Sequence, residues 1–329
     1  MTTNKKKLLI ADSMGKAGWD LLAARDDIEA TSFSHLIKPA DFVLRIRAEG
    51  GVDGVVIGPM RFGEAELAEA PRLQVVARIG VGYDSVDVPA LTKRGIPLMV
   101  VGIANSPSVA EQAIFFMMTL ARRGAHFDAL VKEGRWPERL KVKPVDLLGK
   151  TALIVGFGRI GTRTAKRCLA MEMTVLVYDP YVPAESVRAA GYEPVGDLDA
   201  AVAHADFVSI HCPKTPETLG MFDAARLRRM KPTAYLVNTA RGGIIEETAL
   251  HAALSEGRLA GAGLDVFALE PTPTDNPLLK LPNVVTAPHM AGVTVEAVAR
   301  MALAAVRNIL SVFDGQPIRE NVINQEVLG

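Results

Sequence analysis

Short runs of apolar, β-branched residues alternate along this chain with stretches whose apolar positions recur every three or four residues. LLIA at 8–11, VDGVVI at 52–57, LQVVARI at 73–79 and IPLMVV at 96–101 read as strands. PADFVLRIRAEG from Pro39 and GEAELAEA from Gly63 read as helices between them, with Gly or Pro at the joins. This rhythm predicts parallel strands joined by crossover helices, so residues 1–102 form a first α/β unit.

The segment SPSVAEQAIFFMMTLARR, Ser106 to Arg123, predicts a long helix with Ser106 as its cap, Pro107 in the first turn and basic residues at its C-terminus. Phe115, Phe116, Met117 and Met118 cover more than one face, so the helix is expected to pack on its own domain and on a second copy of the chain in a homodimer. From Lys150 the alternation restarts: TALIV, TVLVYD, ADFVSIHCP, AYLVNTARGG, GAGLDVF and finally NVVTAPH at 283–289. This is a second sheet with more strands than the first. AGVTVEAVARMALAAVRNILSVFDG, ending at Gly315, then predicts a helix of about twenty residues that returns to the first unit. The expected fold class is α/β, with two Rossmann-like, doubly wound parallel-sheet domains. Residues 1–102 and 292–329 form a discontinuous substrate domain, and residues 103–291 form an inserted nucleotide-binding domain.

Composition narrows the function. At 329 residues, 49% hydrophobic and 22% charged, the chain has the make-up of an ordinary globular protein. Lys plus Arg and Asp plus Glu balance at 37 each, and beyond Lys5, Lys6 and Lys7 no basic block follows a phosphate backbone, which argues against a nucleic-acid partner. No apolar run approaches a membrane span and the N-terminus lacks a signal-peptide core, so a cytoplasmic protein is expected. Cys168 and Cys212 are the only cysteines, and no zinc-ligand spacing occurs, so neither a disulfide framework nor a metal site is expected.

Gly156, Gly158 and Gly161 form G-x-G-x-x-G directly after TALIV and at the start of a helical run. The first glycine permits a tight turn, the second lets a pyrophosphate approach the backbone, and the third lets helix pack on strand. Asp179 follows 23 residues after Gly156, at the end of the next strand, where a carboxylate accepts hydrogen bonds from ribose hydroxyls. That carboxylate repels the 2′-phosphate of NADP, and Pro180 and Tyr181 follow it in place of an arginine, so NAD is the expected cofactor.

Three further groups stand where strands end. Arg241 follows AYLVNTA and precedes Gly242 and Gly243; Glu270 lies in LDVFALEP; His289 lies in VVTAPHMAG. Strand C-termini are where ligands collect in open α/β sheets.

Together with GFGRIG, the blocks VNTARGG, GAGLDVFALEP, LPNVVTAPHMAG and ANSPSVAEQ closely resemble the D-isomer-specific 2-hydroxyacid dehydrogenases, in order and over nearly the whole chain. The resemblance implies hydride transfer between NAD and a small 2-hydroxy acid or 2-keto acid. It implies that Arg241 binds the substrate carboxylate and carbonyl oxygen, that His289 is the acid/base, and that Glu270 hydrogen-bonds His289 and stabilises its imidazolium form. It further implies that Asp265 meets the nicotinamide carboxamide, that Thr239 and Cys212 lie along the cofactor, and that Arg159 and Ile160 lie at the pyrophosphate. ARIGVGYDSVD at 77–87 resembles the family's substrate loop, with Val81 and Gly82 offering backbone N–H groups to the carboxylate and Arg78 beside them. VIGPMRF at 56–62 departs from the Arg-Ser pattern of the phosphoglycerate enzymes, which leaves 3-phosphoglycerate, glycerate, glycolate, lactate and larger sugar acids all open. Relatives that oxidise formate replace the glutamate, and Glu270 argues against that chemistry. The alternative class is an NAD(H)-sensing corepressor, a binding module of the same fold that keeps the three residues; the long modifiable tails of such proteins are not expected here.

Overall fold

The computed structural model describes residues 5–329, which divide into two compact units: the chain up to Asn105 together with Gly292–Gly329, and Ser106–Ala291. In the first unit the strands are β1 (Lys6–Ala11), β2 (Ile28–Phe33), β3 (Gly54–Ile57), β4 (Val75–Arg78) and β5 (Leu98–Met99). They form one parallel sheet in the order β2-β1-β3-β4-β5, a doubly wound arrangement. Strand β3 is apolar throughout and β4 is apolar up to its last residue, Arg78, as strands covered on both faces are. Strand β2, IEATSF, escapes the sequence reading because it is an edge strand with its middle residues partly exposed, so it carries no apolar run.

One face of this sheet is covered by the helix Val295–Phe313, 19 residues long, which Thr294 caps through its side chain to Ala297 N–H. It packs on the helix Lys16–Ala23, where a Cβ at Gly15 or Gly18 would crowd Val298 and Ala302. The other face packs around Phe42, Phe62 and Leu91.

The second unit holds β6 (Thr151–Val155), β7 (Thr174–Tyr178), β8 (Glu193–Pro194), β9 (Phe207–Ile210), β10 (Tyr235–Asn238), β11 (Gly261–Leu264) and β12 (Val284–Thr286). All are parallel, in the order β12-β11-β10-β9-β6-β7-β8. This is the Rossmann order with a seventh strand added, and the direction of winding reverses between β6 and β9. The helix Ser106–Arg122 lies on one face and buries Ala113, Phe116, Met117, Leu120 and Ala121 at helical spacing. Gly263 of β11 has no side chain because Phe116 lies 2.6 Å from where its Cβ would be. Ser106 is the first residue of this helix and is buried. Among the described residues no helix is long and apolar enough to cross a membrane.

Candidate functional site

In the second unit β6 runs into the glycine turn, and each glycine has a distinct steric duty. Gly156 takes a positive φ of 95°, and a Cβ there would sit 2.6 Å from Cys212 N. A Cβ at Gly161 would fall 1.9 Å from Gly156 O, so only glycine lets the ten-residue helix Gly161–Ala170 start this close to the strand. At Gly158 the space is open, with nothing within 4 Å. One turn glycine, one packing glycine and one open cradle between them are what a dinucleotide pyrophosphate requires. Arg159 and Ile160 lead directly into the helix N-terminus, where Gly158, Arg159 and Ile160 retain solvent access.

Groups around this turn fit the same ligand. Asp179, just past β7, accepts Phe157 N–H at 2.8 Å through Oδ2 and Tyr181 N–H at 2.9 Å through Oδ1, so it braces the glycine turn. Thr239 Oγ1, at the end of β10, is buried without a hydrogen-bond partner, which a bound ligand would remedy. Cys212 follows β9 against the Gly156 turn, and burial pushes its thiol up to about 11, so it is a neutral contact surface and not a nucleophile. His211 beside it shares a hydrogen bond with Ser209 Oγ at 2.9 Å, and burial pushes its imidazole down to about 3.

Further along the same edge lie Arg241, Glu270 and His289. His289 Nδ1 lies 2.7 Å from Glu270 Oε2, and Glu270 Oε1 accepts Phe267 N–H at 2.9 Å, which fixes the carboxylate's rotation. A carboxylate can only accept, so Nδ1 carries the proton and Nε2 is left for chemistry. His289 has a left-handed φ of 56°, a conformation costing on the order of 1 kcal/mol for a residue with a side chain. Asp265 offsets that cost. Its carbonyl accepts His289 N–H at 2.8 Å, and its buried carboxylate accepts Met290 N–H at 2.8 Å and Ala291 N–H at 3.0 Å. Burial raises this carboxyl above the ordinary range, while the two N–H donors oppose the shift.

Arg241 sits on a turn braced by Asn238, whose side chain donates to Arg241 O at 2.9 Å and accepts Ala240 N–H at 3.0 Å. The guanidinium donates to Ala240 O at 2.7 Å. A Cβ at Gly242 would come within 1.7 Å of Phe267 O, so the Arg241 turn lies directly on the segment that leads to Glu270. Sequence reasoning missed Asn238 and Gly242; the signal available was their place in VNTARGG, immediately around the cation.

In the first unit, Arg78 ends β4 and folds back over Gly80, where a Cβ would fall 1.9 Å from its guanidinium. The N–H groups of Val81 and Gly82 have no acceptor among the described residues. The loop is anchored by Phe62 N–H to Ser85 O at 3.2 Å and Ser85 Oγ to Met60 O at 2.8 Å.

Comparison with known proteins gives a consistent picture. Residues 114–291 match the family model for the NAD-binding domain of the D-isomer specific 2-hydroxyacid dehydrogenases. A D-3-phosphoglycerate dehydrogenase of Archaeoglobus fulgidus is 41% identical over 280 residues, covering 85% of this chain and 53% of that protein. A glyoxylate reductase of Korarchaeum cryptofilum is 43% identical over 274 residues, 80% of each chain. A solved D-lactate dehydrogenase from Aquifex aeolicus, complexed with NAD and lactic acid, superposes with a TM-score of 0.83 at 26% identity, covering 98% of this chain and 99% of that one. The chain spans about half the length of the phosphoglycerate dehydrogenases it matches.

Proposed function

Because the chain belongs to the D-isomer-specific 2-hydroxyacid dehydrogenase family, we propose that it transfers a hydride between NAD(H) and the α-carbon of a small D-2-hydroxy acid or the corresponding 2-keto acid. The observation that carries this reading is the Glu270–His289 pair beside the braced Arg241 turn, on the same sheet edge as the glycine cradle.

Bound NAD supplies the hydride acceptor, and NADH the donor. Arg241 offers the planar fork of donors that a carboxylate and the adjacent carbonyl oxygen match. In reduction, His289 Nε2 gives a proton to the carbonyl oxygen; in oxidation it takes one from the hydroxyl. Glu270 holds the ring by Nδ1 and stabilises the charged form between those states. Asp265 keeps His289 in its left-handed position, and Thr239 and Cys212 serve as cofactor contacts. Taken by itself, the first unit presents the Val81 and Gly82 N–H groups and the Arg78 cation, a set of donors suited to an anion.

Two finer readings accompany this one. We assign the exposed apolar side chains of successive elements, Phe115 and Met118 on Ser106–Arg122, Val131 on Gly124–Lys132, and Trp136 and Leu140 on the short 3-10 helix Trp136–Leu140 that follows them, to the interface of a homodimer. Sedimentation as a monomer would contradict it. The two unpaired cysteines suit a reducing, cytoplasmic setting.

The test is NADH oxidation against glyoxylate, hydroxypyruvate, pyruvate, phosphohydroxypyruvate and 2-ketogluconate, with Arg241→Ala alongside. The expected result is turnover of at least one acid that collapses in the variant while NADH affinity holds. Tight NADH binding with no oxidation of any of the five would overturn the reading.

A further inference from the structure

Tyr181 and Glu217 stand apart from every role assigned above. Tyr181 lies two residues past Asp179, and its own N–H is fixed to Asp179 Oδ1. Its phenol donates to Glu217 Oε2 at 2.6 Å, although the residue is 77% exposed. Glu217 rides on a tight turn after β9, in which Thr218 Oγ1 accepts Thr215 N–H at 2.8 Å and donates to Pro213 O at 2.7 Å.

Topology gives this bond its meaning. Strands β7 and β9 flank β6, so a link from the β7 loop to the β9 loop must pass over the end of β6 and its glycine turn. Two strand spacings separate its anchors, roughly 10 Å. An exposed phenol bonded at that span buries little and contributes little to the fold. It does lie across the Asp179 side of the crevice, where the direction of winding reverses and ligands enter. The hydrogen bond and the charge of Glu217 raise the phenol above its ordinary range, so it remains a donor through neutral pH.

We propose that the Tyr181–Glu217 hydrogen bond is a latch over the adenosine end of the cofactor site, which must open for NAD(H) to enter or leave. The inference rests on the reading that the adenosine ribose lies at Asp179. The latch acts on rates, because it is closed before the cofactor arrives and its opening is common to entry and exit.

The test is stopped-flow nicotinamide fluorescence, which reads NADH association and dissociation without turnover. Tyr181→Phe keeps the ring and removes the donor; it is expected to raise both rate constants about fivefold, the factor for one net hydrogen bond, with Kd changed less than twofold. Glu217→Ala is expected to match it, and the double variant to add nothing further. Glu217→Gln, which still accepts the phenol, should restore nearly wild-type rates. Reduced nicotinamide mononucleotide, which lacks the adenosine, should bind all variants at one rate. Unchanged NADH rates in Tyr181→Phe, or additive effects in the double variant, overturn the latch and leave the NAD site standing. Failure of the wild-type protein to bind NADH overturns both.

Discussion

Glu270 and His289 are 19 residues apart in sequence, yet their side chains meet at 2.7 Å, and the other oxygen of the same carboxylate is tied to Phe267 N–H. The imidazole is therefore aimed by a group that is itself aimed. If this pair moves the proton, His289→Asn lowers kcat by about 10² to 10⁴, the range for a positioned acid/base. Glu270→Gln gives a smaller loss, and calorimetric NADH affinity holds in both. Near-wild-type turnover in His289→Asn would remove the residue from the chemistry.

The contact between Gly242 and the Phe267 carbonyl couples the Arg241 turn to the Glu270 segment. Gly242→Ala introduces a methyl group at 1.7 Å from that oxygen, so one backbone must give way. A displacement of about 1 Å at a catalytic group can cost about a hundredfold, and kcat is expected to fall by that order while the NADH Kd stays within about threefold. Full activity would show that the two segments work independently.

Gly158 and Gly161 should separate binding from folding. Gly161→Ala meets Gly156 O at 1.9 Å and is expected to cost about 1–3 kcal/mol in denaturant unfolding. Gly158→Ala meets nothing within 4 Å, so stability holds, whereas the NADH Kd rises about tenfold as the methyl fills the cradle. The reverse pattern would mean that the pyrophosphate lies elsewhere.

How much of this the sequence disclosed depends on the range of each interaction. The glycine turn was legible because its three steric duties fall within six residues, and strands such as TALIV and GAGL because a doubly covered strand is apolar throughout. Asp265 was read only as a cofactor contact. Its hydrogen bonds to the N–H groups of Met290 and Ala291 are invisible in a sequence, since every residue but proline has an amide and nothing marks the two that are held. Asn238 was overlooked for the same reason, its partners being backbone atoms two and three residues on. A serine before an apolar run signalled the helix start at Ser106 without distinguishing the cap from the first turn.

The buried His211 carries a pH dependence of stability. Its folded pKa of about 3 lies below the ordinary 6.5, so the unfolded chain takes up the proton first. The contribution is complete above pH 6.5 and is lost as pH falls from 6.5 towards 3, at a limiting slope of ~1.4 kcal/mol per pH unit. Urea unfolding of His211→Gln from about pH 6 to about pH 4 should show a slope shallower by about one proton. An identical slope would mean that the imidazole titrates alike in both states.

The central claim, direct hydride transfer to a 2-keto acid, is tested most directly by a single turnover with NADH deuterated at C4 and the best substrate of the panel. The account predicts one deuterium at C2 of a D-2-hydroxy acid, with the label lost from the cofactor in equal amount. Product whose C2 hydrogen comes from solvent, or a racemic 2-hydroxy acid, would contradict it.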